Sequence, residues 1–100
     1  MHARPDPTPP AGAPLLLGRL GVKRPRESAP YLVIEGHCPA CGRRHRHGWP
    51  VEYGLDAVAH RTAHCGDPAS PAMRTGYYIA LDPALDRESR QILARFPRRR

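Results

Sequence analysis

The sequence predicts a small α+β domain, preceded by a flexible leader and too small to rest on a hydrophobic core alone. Three observations carry this. Two β-branched and aromatic runs, Tyr31 to Glu35 and Tyr77 to Leu81, have the composition of strands. Two other segments, 55–64 and 85–96, repeat apolar residues at helical spacing. Two of the three cysteines stand two residues apart, in Cys38-Pro39-Ala40-Cys41.

Residues 1–30 read as the leader. Proline crowds this stretch, removes backbone donors and favours extended chain. Leu15 to Leu20 form a short apolar patch without a repeating face, so deletion of residues 1–28 is expected to leave the fold intact. The contrary outcome would mean that Leu15, Leu16, Leu17 and Leu20 complete the core.

The domain is expected over residues 31–96. Tyr31-Leu32-Val33-Ile34-Glu35 opens it as a strand, which Gly36 ends. His37 to Gly42 form a tight turn, and Arg43 to Trp49 return as a second strand closed by Pro50. The result is a β-hairpin with a Cys-x-x-Cys knuckle at its tip. Leu55, Val58, Ala59 and Thr62 then lie on one stripe of a helix running to His64, stopped by Gly66, Asp67 and Pro68. A third strand follows Gly76. Asp82-Pro83 supplies an N-cap and a first-turn proline for a C-terminal helix bearing Leu85, Ser89, Ile92, Leu93 and Phe96. Pro97 stops it, leaving residues 97–100 as a basic tail.

A domain of this size needs a staple, either disulfides or a metal. Three cysteines leave one over in any disulfide framework. The start of the chain has no secretory pattern, and Leu15-Leu16-Leu17 is too short for a signal core or a membrane span. The chain is therefore expected in the cytoplasm, away from membranes, where thiols stay reduced and paired cysteines bind metal more often than they cross-link.

Two thiolates spaced as Cys38 and Cys41 can clasp one tetrahedral zinc ion, and Gly42 lets the backbone turn behind the second sulfur. A thioredoxin-type redox pair would open a helix in a βαβ pattern, which this chain lacks. The second ligand pair falls in His60-Arg61-Thr62-Ala63-His64-Cys65. His60 with Cys65 is preferred because a thiolate binds zinc strongly; His64 is the close alternative. His45 and His47 share one face of the returning strand and either can be the fourth ligand instead, although packing on Trp49 or solvation ranks ahead for them.

Cys-Pro-x-Cys-Gly-Arg-x-His-x-His-Gly, then His-Arg-x-Ala-His-Cys and Gly-Tyr, resembles small zinc-finger-like proteins of actinobacteria, their phages and mobile elements. The resemblance spans about residues 31 to 82. It implies that Cys38, Cys41, His45, His47, His60, His64 and Cys65 matter, without saying which four bind, and it brings no activity with it. An ordinary zinc ribbon has two Cys-x-x-Cys knuckles, so that fold name is not carried over.

Fifteen arginines against one lysine give a formal charge of +7. Such a charge attracts polyanions, although GC-rich coding also supplies arginine together with alanine, proline and glycine. A nucleic-acid-binding module is the first functional expectation, with DNA or RNA held by Arg43, Arg44, Arg46, Arg61, Arg87 and Arg90. A zinc-stabilised adaptor for a protein partner is the alternative. An enzyme ranks third. The His-x-Glu of zinc deaminases is missing, and a His-Asn-His nuclease needs an asparagine where the chain has none.

Overall fold

The computed structural model describes residues 11–62, 65 and 75–96. Among them, five strands form one sheet: β1 (Leu15–Lys23), β2 (Tyr31–His37), β3 (Arg44–Gly48), β4 (Ala59–Arg61) and β5 (Tyr77–Leu81). Their order across the sheet is β3-β2-β1-β5-β4. An α-helix, α1 (Asp86–Arg95), follows β5 through a 3₁₀ turn at Pro83–Leu85. The class is α+β.

The central strand comes from the stretch expected to be leader. The first half of β1 pairs parallel with β5, Leu16 opposite Ile79, and its second half pairs antiparallel with β2, Leu20 opposite Ile34. Alternation places Leu16, Gly18 and Leu20 inward, and both leucines are buried. The expectation of a flexible segment through residue 30 is therefore corrected for Leu15–Lys23. An apolar patch with no period of its own still pairs when strands wait on both sides, because register and burial are supplied by its neighbours.

β2 and β3 pair antiparallel, with His37 opposite Arg44, and residues 38–43 join them. Gly42, at φ +74°, takes the left-handed turn in that loop. Gly36 answers a different need. A side chain there would meet the Leu17 carbonyl oxygen at 2.6 Å, so the absence of a Cβ is what lets β1 lie against β2.

The helix expected over 55–64 does not form. Val51–Tyr53 make a 3₁₀ turn, Gly54 reverses the chain, and Ala59–Arg61 pair antiparallel with β5 as the edge strand β4. Residues 63, 64 and 66–68, on which the rest of that expectation falls, lie outside the described residues. Ala57, Val58 and Ala59 are all buried, and such a short apolar run satisfies a helix or a strand until a partner edge decides.

The core joins inward residues of the sheet, among them Leu16, Leu32, Ile34, Tyr77 and Ile79, to Trp49 and Tyr53 of the loop after β3. Trp49 donates its indole N–H to the Gly54 carbonyl at 3.0 Å and meets Tyr53 edge-on. Ile92, Leu93 and Phe96 of the C-terminal segment close against this cluster. Asp82 caps the 3₁₀ turn by accepting from the Ala84 N–H at 2.9 Å, as Asp-Pro implies. Each fully buried leucine or isoleucine here is worth about 1.5–3 kcal/mol of burial. Cys38 and Cys65 belong to the same cluster, so the core continues into the site.

Candidate metal centre

Three separate segments meet beside the β2–β3 loop. Cys38 and Cys41 come from the loop, His45 from β3, and Cys65 from the chain beyond β4. Their ligand atoms all lie within 4.8 Å of one another. Cys38 Sγ stands 3.6 Å from Cys65 Sγ, and Cys41 Sγ stands 3.4 Å from His45 Nε2. A tetrahedral ion with metal–sulfur bonds near 2.3 Å and metal–nitrogen bonds near 2.0–2.1 Å sets its ligand atoms roughly 3.5–3.8 Å apart. The spacing of the four side chains therefore suits one tetrahedral ion.

The loop is shaped to hold its sulfurs. Cys38 N–H donates to the Arg43 carbonyl at 2.8 Å, Gly42 N–H to the Cys38 carbonyl at 2.9 Å, and Ala40 N–H to Cys38 Sγ at 3.3 Å. Burial opposes ionisation of Cys38, but the backbone bonds at Cys41 and Ala40 and the neighbouring thiols outweigh it. Its thiol therefore sits below the usual cysteine value. A thiol that ionises more readily is the better metal ligand. Cys41 stays exposed at the rim.

A polar chain runs from the site into the core. His45 Nδ1 lies 2.7 Å from the Tyr77 hydroxyl, which in turn lies 2.6 Å from His47 Nε2. Both histidines and the tyrosine are buried. If His45 gives Nε2 to a metal, its Nδ1 must carry the proton and donate to the Tyr77 oxygen. Tyr77 is then oriented to donate to His47. Burial first, then the charges of Cys38, Cys65 and Cys41, hold the Tyr77 hydroxyl well above the usual tyrosine value, so it keeps that proton. Tyr77→Phe removes the shared partner of two buried imidazoles. We expect it to weaken metal affinity about 10–100-fold, read by competition with a chromophoric chelator, while leaving one ion per chain at saturating metal.

Of the ligands expected from the sequence, Cys38, Cys41 and Cys65 are in the cluster and His60 is not. His60 sits on β4, opposite Tyr78, exposed, with Nε2 2.7 Å from the Thr75 carbonyl. Without a helix there, the spacing that made His60 the partner of Cys65 loses its geometric meaning. His64 lies outside the described residues. His45, ranked behind His60 from sequence, takes the fourth corner. The signal was present in Cys41-x-x-x-His45: a hairpin tip folds its returning strand back across the knuckle.

The arginines expected to meet nucleic acid are dispersed. Arg43 is exposed in the loop, and Arg44 and Arg46 point outward from β3, each 3.7 Å from Glu35. Arg61 lies over the Tyr53 ring and donates to the His60 carbonyl at 2.8 Å, so it packs rather than projects. On α1, Arg87 is exposed and Arg90 pairs with Asp86 at 2.6 Å. No described helix is long and apolar enough to cross a membrane.

No protein-family model matches the chain, and neither a curated protein nor a solved structure is similar enough to count as a match.

Proposed function

We propose that the chain is a small binding module built around one structural zinc ion held by Cys38, Cys41, His45 and Cys65. The observation that carries this is the convergence of four zinc-type donors from three segments within 4.8 Å of one another. Three thiolates and an imidazole favour zinc over hard cations, and four protein donors leave a tetrahedral ion no position for substrate. The role is therefore structural rather than catalytic.

The partner favoured by charge is nucleic acid, DNA or RNA, with Arg44 and Arg46 on the open face of the sheet supporting that reading. An adaptor for a protein partner has its own support in an apolar groove of about 1020 Å³, lined by Tyr31, Trp49, Pro50 and Phe96 among others.

Metal content of purified variants tests the ligand set. Cys38→Ser, Cys65→Ser and His45→Ala should each abolish stoichiometric zinc, because each removes one corner of the site. His60→Ala should retain one zinc per chain, since His60 bonds to backbone instead. Zinc lost from His60→Ala but kept by His45→Ala would reverse the assignment.

A further inference from the structure

The outer face of the sheet carries a feature that the metal centre does not use. Registers β1–β2 and β2–β3 align Arg19, Glu35 and Arg46 in one row across three strands and Gly21, Val33 and Gly48 in the next. Lys23 and Tyr31 face each other in the row beyond. Two glycines flank Val33, so the middle row is a trough between rows of long side chains. Val33 is only 5% exposed although it points away from the core cluster, because those side chains stand around it. The trough forms a recess of about 140 Å³ lined by strand residues, with Arg19, Lys23 and Arg46 as its cations and Glu35 as its carboxylate.

The charges here are exchangeable. Arg46 stands 3.7 Å from Glu35, and Arg19 stands 3.0 Å from Glu88. Both pairs are largely solvent-exposed, and such pairs hold their partners weakly. Tyr31, at 49% exposure, stands opposite Lys23 in the row beyond the recess. Cations around a shallow recess with an exposed aromatic alongside match a phosphate and the base next to it. A duplex keeps its bases stacked away from such a ring, whereas a single strand can lay one upon it.

We infer that this face is a binding surface for single-stranded nucleic acid, with a backbone phosphate between Lys23 and Arg46 and a base on Tyr31. The inference deepens the nucleic-acid reading above and depends on the zinc site only through the fold.

Fluorescence anisotropy of the zinc-loaded full chain tests it, using labelled oligo(dT), an RNA strand and a duplex of equal length across a salt series. The strands should bind more tightly than the duplex. The double variant Lys23→Ala/Arg46→Ala should lose about tenfold or more in affinity and flatten the salt slope by roughly 0.7, the value for the one phosphate contact removed. Tyr31→Ala should lose about tenfold at an unchanged slope, because stacking releases no counterions. Arg95→Ala removes an exposed charge from α1 and should change neither. An equal loss in that control, a preference for the duplex, displacement of the strand by polyglutamate at equal charge concentration, or no binding at low salt would each overturn the assignment. Zinc content and melting curves are measured on the same samples. A metal-free chain that still binds through Lys23 and Arg46 refutes the zinc reading alone, and a zinc-loaded chain that binds nothing refutes this one alone.

Discussion

Removing zinc with a strong chelator is expected to abolish the cooperative melting transition of this chain, or lower its midpoint by more than about 20 °C. Cys38 and Cys65 are buried members of the core cluster, 3.6 Å apart, and they come from segments distant in sequence. Without an ion, the chain beyond β4 has lost its tie to the β2–β3 loop at this point. A structural zinc site contributes on the order of 10 kcal/mol at neutral pH. That matches the whole stability of an ordinary small domain, about 5–15 kcal/mol. Circular dichroism melts before and after chelation, with elemental analysis of the starting material, give the answer. One zinc per chain with an unchanged melt after its removal would reduce the site to a passive one, and no metal at any stage would remove it altogether.

The second large effect concerns β1. Deleting residues 1–28 is expected to yield unfolded or aggregated protein, the reverse of what proline content alone suggests. β1 lies between β2 and β5, so its loss leaves two sheet fragments with unpaired edges and no Leu16 or Leu20 between them. Leu16→Ala is the milder form of the same test. Leu16 is fully buried, and truncation should cost about 2–5 kcal/mol. For a domain of this size that lowers the melting midpoint by roughly 10–30 °C. A soluble deletion variant with an intact melt would mean that β1 is dispensable and that the sheet closes without it.

The second prediction rests on a segment where sequence and fold part company. Tyr31–His37 and Tyr77–Leu81 were legible because β-branched and aromatic residues suit a pleated surface wherever it forms. The C-terminal helix was legible because Asp82 and Pro83 fix its entry locally and Ile92, Leu93 and Phe96 repeat at helical spacing. Leu15–Lys23 was not legible, because its strand character comes from two partners, one of them more than sixty residues away. Ala59–Arg61 was misread for the same reason: its periodicity allows a helix, and the edge of β5 overrides it.

The candidate site divides along the same line. The sequence by itself put Cys38 and Cys41 together in one candidate metal cluster, because the two sulfurs are tied by a short loop whose geometry is local. It also put Cys65 in the candidate set, through the chemistry of thiolate. Which histidine completes the set was decided by the tertiary structure alone. The hairpin brings His45 Nε2 to 3.4 Å from Cys41 Sγ, and the Tyr77 hydroxyl from a distant strand fixes the other side of the ring. Pairing on β4 meanwhile turns His60 toward the Thr75 carbonyl. A ligand's identity can be read from local spacing only while the backbone between ligands is local too. Here His45 is near Cys41 in sequence, and it is the pairing of β4 with β5 that takes His60 out of the set.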